Sequence, residues 1–247
     1  RDAQESRGLG DVYKRQPYSH VAVEAFVSGN VLHIGGEVTS LGQVDISQIA
    51  RHVIERIGYT DESLGFTAQG CLIFIDIRKQ SQDIHQGVTI DENDRIVGSG
   101  DQGIMYGYAT NETDNYMPLT FNLAQALVYR LDRARHDTVL GKWLRPDGKA
   151  QVTMTYDETG RPVRIHSVIV SAQHSEDIGH EELTKLIGTA IIDPVCRPWM
   201  DEHTHIHINP TGRFVIGGPV GDTGLTGRKI MVDTYLSLIH ISEPTRL

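Results

Sequence analysis

The chain has 247 residues, of which 39% are hydrophobic and 22% charged, a composition typical of globular proteins with room for a sizeable core. Its formal net charge of −9 argues against a general nucleic-acid binder, and no run of about 18 apolar residues predicts a membrane helix. Its two cysteines, Cys71 and Cys196, are too few for a disulfide framework and favour a reducing, cytoplasmic setting.

The first third of the chain is predicted to follow a strand, helix, strand order. Residues 31–38 are typical of a strand that two glycines interrupt. Apolar residues spaced by three and four predict a helix over residues 45–57, which Asp45 caps and Gly58 ends. Residues 71–77 are almost continuously apolar, which predicts a strand buried on both faces.

The rest of the chain alternates predicted helices with predicted strands. A polar stretch at residues 82–100 is long enough to indicate a functional or disordered loop. Apolar residues at helical spacing predict helices over residues 120–135 and 181–192. Shorter apolar and alternating runs predict strands at residues 151–156, 163–171, 205–208 and 214–216. This alternation predicts an α/β (α+β) fold with mixed sheets.

The most informative stretch is residues 212–229, in which six of the eighteen residues are glycine. Glycine lets a backbone approach a ligand closely, and Arg213, Arg228, Lys229 and Asp222 add three cations and a carboxylate. This mixture suits a polyphosphate, although the spacing matches neither a Walker loop nor a dinucleotide fingerprint. A glycine-rich connector between strands explains the composition equally well.

Five short motifs accompany the glycine-rich stretch. They are Gly-Glu-Val at 36–38, Lys-Gln-Ser at 79–81, Gly-Asp-Gln-Gly at 100–103, Ala-Thr-Asn-Glu-Thr at 109–113 and Trp-Leu-Arg-Pro-Asp at 143–147. In this order and spacing, from about Pro17 to Tyr235, they resemble S-adenosylmethionine synthetase (methionine adenosyltransferase).

The resemblance implies pseudo-threefold α/β domains with mixed sheets. It implies an N-terminal domain at residues 17–95, a central domain at 96–215 and the start of a truncated C-terminal domain at 216–235. Residues 1–16 and 236–247 are expected to be a non-native leader and tail, because they resemble translated sequencing-adapter sequence.

The family's reaction is the attack of the methionine sulfur on C5′ of ATP. It forms S-adenosylmethionine and releases phosphate and pyrophosphate. The resemblance also implies Mg²⁺ and K⁺ as cofactors, and a homodimer or homotetramer with sites at the subunit interface. A catalytically inactive nucleotide-binding or partner subunit of the same fold is the alternative. We expect the 247-residue chain by itself to be inactive, because the family's early and late ATP and Mg²⁺ motifs lie outside it.

The resemblance implies a role for individual residues of this chain. Glu24 matches the glutamate assigned to K⁺, and Asp101 lies at the edge of the site. The residues implied to bind methionine are Glu37, Gln86 and Asp222. The residues implied to bind ATP are Asp147, Lys149, Arg213, Phe214, Asp222, Arg228 and Lys229.

The family also has a mobile loop that closes over its active site. In this chain the loop corresponds to Gln86, Gly87, Val88, Thr89, Ile90, Asp91, Glu92, Asn93, Asp94 and Arg95. His85 stands where the family usually has asparagine.

Three histidines alternate at His203, His205 and His207 and could share one face of a strand. A zinc site there would need further ligands, so exposed strand histidines are the favoured interpretation.

Overall fold

The computed structural model describes residues 19–40, 42–79, 107–136 and 139–228. The chain divides into two compact units. The first consists of the residues up to Tyr108 together with those from Asp222 onward, and the second runs from Ala109 to Gly221. Among the residues described, no helix combines the length and apolar character needed to cross a membrane.

The first unit is a four-stranded mixed sheet with one long helix. The elements are β1 (His20–Ser28), β2 (Val31–Thr39), α1 (Ile46–Ile57), β3 (Leu72–Arg78) and β7 (Gly224–Leu225). The strands lie in the order β3-β2-β1-β7, in which β2 and β3 are parallel and the other neighbours are antiparallel. The parallel pair joined through a helix confirms the predicted strand, helix, strand order.

The ends of α1 are set as the sequence predicts. The Asp45 carboxylate accepts a hydrogen bond from the Gln48 N–H at 2.9 Å, which satisfies one amide of the first turn. Gly58 ends the helix in the left-handed conformation, with φ of 104°. The inward stripe of α1 packs on β2 in a core that includes Leu32, Ile34, Ala50, Ile54, Tyr59, Phe66 and Cys71.

The prediction that β3 is buried on both faces is wrong. Leu72 and Phe74 are 58% and 54% exposed, and Ile75 is also exposed. β3 is an edge strand of the described sheet, and the core with α1 lies on only one face of that sheet. A continuous apolar run indicates apolar surroundings but not which element supplies them.

The second unit places helices against a three-stranded mixed sheet. The elements are α2 (Leu119–Ala134), β4 (Leu144–Tyr156), β5 (Pro162–His174), α3 (His180–Ile187), α4 (Asp193–Cys196), β6 (His205–Ile208) and α5 (Gly218–Gly221). The strand order is β4-β5-β6, with β4 and β5 antiparallel and β5 and β6 parallel. The core of this unit joins α2 and α3 to the sheet through residues such as Leu127, Ile165, Val168, Leu183 and Ile187.

Two further predictions for this unit need correction. The helix predicted over residues 181–192 is α-helical only to Ile187 and continues as a π-helix over Gly188–Ile192. There the Thr189 hydroxyl donates to the Lys185 carbonyl, a bond that bends helices. Residues 214–216 are not a strand, because their hydrogen bonds run partly to the side chains of β5 instead of to a ladder.

Candidate active site

Gly36 allows β1 and β2 to pair next to Glu37, which lies within β2. Its φ is 139°, and a Cβ there would lie 2.1 Å from the Ala22 carbonyl oxygen. Because a Cβ cannot occupy that space, only glycine lets the two strands approach at this point. Glu37 follows with its side chain exposed, opposite Ala22 on one side and Arg78 on the other.

Glu37 forms a small charged group with Asp76 and Arg78 of the neighbouring strand, on the exposed side of the sheet. The Arg78 guanidinium donates two hydrogen bonds to Asp76, at 3.0 and 2.9 Å. These bonds and the Asp76 charge raise the pKa of Arg78 above its ordinary value, and the Glu37 charge adds to the effect. The group therefore holds two carboxylates for one cation, and can accept a further positive group such as an ammonium.

Glu24 is tied to the segment that carries β7. It lies on β1 with its side chain exposed, and its carboxylate accepts a hydrogen bond from the Thr226 hydroxyl. The same hydroxyl accepts the Ala25 N–H at 3.0 Å, and the Thr226 N–H donates to the Ala25 carbonyl at 2.9 Å. Carboxylate and hydroxyl oxygens therefore meet here, and oxygen is the donor that hard cations prefer.

Asp222 and Arg228 flank β7, and both side chains are exposed. β7 pairs with β1 through Leu225 opposite Phe26 and Gly224 opposite Val27. This part of the glycine-rich stretch thus holds Asp222 and Arg228 beside a short strand at the edge of the first sheet.

In the second unit, an irregular part of β4 carries Asp147. Leu144 pairs with His174 and Gly148 pairs with Ala172, so three residues of β4 lie opposite the single residue Gln173. The backbone N–H of Asp147 donates to a side-chain acceptor instead of to a backbone carbonyl of the ladder: Gln173 Oε1 lies 3.3 Å away. Its own Oδ2 accepts the Gly218 N–H at 3.0 Å.

The segment that carries Phe214 is held by the last two residues of β5. His174 donates its backbone N–H to the Phe214 carbonyl at 2.9 Å, and its Nε2 accepts the Phe214 N–H at 3.1 Å. Gln173 Nε2 donates to the Val215 carbonyl at 2.9 Å. Because Nε2 of His174 accepts here, its proton lies on Nδ1, 2.8 Å from the Ser175 carbonyl.

Gly217 lies where these groups converge. A Cβ there would be 2.9 Å from the Gln173 side chain, 2.9 Å from the Phe214 ring and 3.1 Å from Asp147 Oδ2. These three side chains are therefore packed around a buried glycine, which explains why this part of the stretch requires glycine.

Arg213 and Phe214 contact different neighbours: the Phe214 ring lies against Gly217, and Arg213 contacts Glu176. The contact between Arg213 and Glu176 is an ion pair, and both of these side chains are mostly exposed. A cavity of about 320 Å³ is lined by Arg213 and Glu176 together with His174, Ile178 and His180. An exposed arginine paired with one exposed carboxylate can exchange that partner for a phosphate oxygen at little cost.

Family models for three consecutive domains match the chain. The S-adenosylmethionine synthetase N-terminal domain matches residues 8–82, the central domain residues 96–214 and the C-terminal domain residues 216–243. The chain belongs to the S-adenosylmethionine synthetase family.

Curated members of the synthetase family are about half identical to this chain. It is 49% identical over 231 residues to S-adenosylmethionine synthase 1 of Rhodopseudomonas palustris (strain BisB18). It is 51% identical over 231 residues to S-adenosylmethionine synthase 1 of Rhodospirillum rubrum (strain ATCC 11170). Each match covers 93% of this chain and 59% of the relative. The chain therefore spans less than two thirds of the length of these relatives.

The structure describes most of the residues that the synthetase resemblance singled out. In the first unit these are Glu24, Glu37, Asp222 and Arg228, and in the second they are Asp147, Lys149, Arg213 and Phe214. Lys149 is exposed on β4, two residues beyond Asp147. Four other predictions lie outside the described residues, namely Gln86, the loop at 86–95, Asp101 and Lys229.

The three alternating histidines are exposed, and only His205 and His207 lie on β6. Within residues 19–40, 42–79, 107–136 and 139–228, no group of three or more His, Cys, Asp or Glu is arranged to hold a metal ion.

Four residues that organise the synthetase site candidates were missed in the sequence: Gln173, His174, Glu176 and Thr226. Gln173 and His174 are buried although they are polar. Polar residues directly after the apolar run of β5 were the available signal, because buried polar groups need defined partners. Their partners Phe214 and Val215 lie 40 and 42 residues further along the chain, where no local pattern points to them.

Proposed function

We propose that this chain is the larger part of a methionine adenosyltransferase that makes S-adenosylmethionine from ATP and L-methionine. The observation that carries the proposal is the identity of about half over 231 residues to two proteins named S-adenosylmethionine synthase. Two of the residues that the resemblance implies for ATP, Asp147 and Phe214, also lie on segments of the second unit that side-chain hydrogen bonds hold in place, which supports the proposal.

The reaction explains why a site of this kind needs charge more than a base. The methionine sulfur attacks C5′ of ATP, the S–C5′ bond forms, and the C5′–O bond breaks as triphosphate leaves. Water then cleaves triphosphate to phosphate and pyrophosphate. Sulfur is nucleophilic without deprotonation, so the protein has to align two substrates and neutralise the leaving group.

We assign ATP to the charged and aromatic residues that the motif names. Phe214 offers a ring face to the adenine. The carboxylate of Asp147, near the Phe214 ring, is oriented by the hydrogen bond that it accepts from the Gly218 N–H. Arg213 is assigned with Phe214 to the adenosine. Arg228 and Lys229 are the cations for the phosphates, where each charge-assisted hydrogen bond contributes about 1.5–3 kcal/mol. Lys149 and Asp222 complete the set.

We assign methionine to Glu37, Gln86 and Asp222, with Asp101 at the edge of the site and residues 86–95 as the closing loop. The charged group around Glu37 supports this, because it holds more carboxylate than cation and suits an ammonium.

We propose K⁺ and Mg²⁺ as cofactors, with different support. The oxygen donors of Glu24 and Thr226 fit K⁺. No residue that the structure describes is assigned to Mg²⁺, which would neutralise the phosphates of ATP.

A second copy of this chain is the proposed partner, in the cytoplasm. The first sheet has an exposed apolar row on the side away from α1, in which the His33 ring stacks on Phe74 with centroids 5.0 Å apart and lies 6.0 Å from Phe26. Leu72 extends this row. Exposed apolar patches of this kind mark protein interfaces.

Analytical ultracentrifugation tests this interface. Phe74→Lys should lower the association state, because it places a charge within the exposed apolar row. Tyr129→Lys, at an exposed position of α2, should leave the association state unchanged.

The domain limits at 17–95, 96–215 and 216–235 remain part of this proposal. The alternative is a subunit that binds nucleotide without catalysis. The two differ in whether labelled methionine is converted when the full-length protein is supplied with ATP, Mg²⁺ and K⁺.

ATP binding to the 247-residue chain tests the site directly by isothermal titration calorimetry. Asp147→Ala and Phe214→Ala should each weaken binding about tenfold or more, as expected from the loss of a charged or stacking contact. Thr153→Ala, at an exposed position further along β4, is the matched control. Equal affinity in all four proteins would remove the nucleotide assignment.

A further inference from the structure

The side-chain amide of Gln173 joins two segments that no backbone ladder joins. Its Oε1 accepts the N–H of Asp147 on β4, at 3.3 Å, and its Nε2 donates to the carbonyl of Val215, at 2.9 Å. Gln173 is only 2% exposed, and its side chain fills the space beside Gly217. A buried amide that uses both ends in this way has one orientation and one position.

We propose that Gln173 is a positioning residue for the nucleotide, which sets the separation of Asp147 and Phe214 without contacting the ligand itself. This inference rests on the proposed function, because it takes Asp147 and Phe214 as nucleotide contacts. The burial of Gln173 excludes direct contact with a ligand that arrives from solvent.

Hydrogen bonds extend from Gln173 in two directions. Toward β4, Gln173 holds the Asp147 amide, and Asp147 in turn accepts the Gly218 N–H. Toward the glycine-rich segment, it holds the Val215 carbonyl, one peptide beyond Phe214. The neighbouring His174 fixes the other side of Phe214 through both its backbone N–H and Nε2. Three hydrogen bonds therefore join Asp147 to Gln173, Gln173 to Val215 and Gly218 to Asp147, and the backbone from Val215 to Gly218 closes the ring.

The irregularity of β4 explains why a side chain has this role. Three residues of β4 lie opposite one residue of β5, so the backbone N–H of Asp147 is out of register with the ladder. A primary amide supplies an acceptor for that N–H and a donor for the Val215 carbonyl from a single side chain. A carboxylate of similar length supplies only the acceptor, and a thioether supplies neither the donor nor a comparable acceptor.

The first experiment compares Gln173→Met with Gln173→Glu in the 247-residue chain, and uses Gln151→Met as the matched control at an exposed position of β4. We expect Gln173→Met to bind ATP about tenfold more weakly, the size of effect from losing one or two positioning hydrogen bonds. The control should bind ATP as the unmodified chain does. Amide hydrogen exchange should become faster at Asp147 and Gly218 while the α2 amides keep their protection.

A pH profile separates positioning from simple packing. In the Gln173→Glu variant the new carboxylate would face the Val215 carbonyl and repel it, whereas its protonated form can donate to that oxygen as the amide does. Burial raises the pKa of a carboxyl group. The affinity of this variant for ATP, relative to the unmodified chain at the same pH, should therefore rise as the pH is lowered. A packing role would give the same ratio at every pH.

The outcomes distinguish this inference from the function on which it rests. If the unmodified chain does not bind ATP, the proposed nucleotide site fails. If ATP binding is lost in Asp147→Ala but is unchanged in Gln173→Met, the site stands and the positioning role is wrong. A Gln173→Met chain with lower thermal stability, uniformly faster exchange and unchanged ATP affinity of its folded fraction would also overturn the positioning role.

Discussion

The carboxylate of Asp147 accepts a hydrogen bond from the backbone N–H of Gly218 at 3.0 Å, although the two residues are 71 positions apart in the chain. This bond fastens the glycine-rich segment to β4 within the second unit. It also places Gly217 against Asp147, Gln173 and Phe214, with no space for a side chain. At this position glycine is required by packing, whichever ligand the segment binds.

Gly217→Ala should therefore destabilise the second unit. The new methyl group would lie within 2.9 Å of two neighbouring side chains, and overpacking of this kind costs about 1–3 kcal/mol. Gly188→Ala is the matched control, because its new methyl group would meet no atom within 4 Å beyond the adjoining helical backbone. That variant should be neutral or stabilising by up to about 1 kcal/mol. Urea unfolding followed by circular dichroism measures both, and equal stability would contradict the packing argument.

Asn209 is expected to contribute more to stability than its position after β6 suggests. It is 2% exposed, and its amide bonds both the N–H and the carbonyl of Ala172, at 2.8 and 3.1 Å. It also adopts a positive φ of 43°, which asparagine tolerates better than alanine does. Asn209→Ala should lower the free energy of unfolding by about 2–3 kcal/mol, because two buried backbone groups lose their partner.

The control for that variant is Asn122→Ala, which removes exposed hydrogen bonds to Asn115. It should change stability by less than about 0.5 kcal/mol, as exposed positions usually do. If the two variants unfolded at the same urea concentration, the buried hydrogen bonds of Asn209 would contribute no more to stability than the exposed hydrogen bonds of Asn122.

Elements with local signals could be predicted from the sequence. Asp45 and Gly58 define the ends of α1 through groups within a few residues of each other, so the pattern and the structure agree. The turn at residues 157–160 also joins β4 and β5 as predicted, although both strands are longer than their alternating cores. Caps and tight turns depend on neighbouring residues, and sequence reasoning reads them directly.

Elements that depend on distant partners could not be predicted. Phe214 lies in an apolar run typical of a strand, yet its hydrogen bonds go to His174, 40 residues earlier. β1 was not predicted because its apolar residues occupy both faces of the strand, which removes the alternation that marks a half-buried strand. The candidate site residues came from the family motif, whereas the side chains that orient them, such as Gln173, were visible only in the structure.

Cys196 should resist alkylation in the folded chain. Burial raises the pKa of its thiol to about 11, and the nearby Asp193 charge adds to the shift. The thiolate fraction at pH 8 is then about a hundredfold below that of an ordinary cysteine with a pKa of 9.0. Mass spectrometry after iodoacetamide treatment should find Cys196 modified in urea and unmodified in buffer. Rapid modification of the native chain at Cys196 would contradict its burial.

The raised pKa of Cys196 also predicts a pH dependence of stability. The folded state holds the thiol proton more tightly than the unfolded state, so this stabilisation is complete below pH 9 and is lost as the pH rises toward about 11. The free energy of unfolding of Cys196→Ala should therefore fall less than that of the unmodified chain over this window. Parallel curves for the two proteins would show that Cys196 does not titrate in this way.

Two adjacent glycines of β2 provide the sharpest test of the first unit. A methyl group at Gly36 would lie 2.1 Å from the Ala22 carbonyl oxygen, and the φ of 139° is unfavourable for alanine. A methyl group at Gly35 would have the Asp76 carbonyl oxygen as its nearest neighbour, at 3.7 Å, which is an ordinary contact. Gly36→Ala should cost about 3 kcal/mol or more, because β1 must move away from β2.

Gly35→Ala is the matched control, one residue away in the same strand, and it should retain most of the stability. Amide hydrogen exchange of β1 checks the prediction where it acts: Gly36→Ala should expose the amides that pair His20–Ser28 with Val31–Thr39, and Gly35→Ala should leave them protected. Because Glu37 follows Gly36 directly, the same variant should also shift Glu37 relative to Arg78, its register partner on β3. Equal protection of β1 in the two variants would show that the close approach of Gly36 to Ala22 does not hold these strands together.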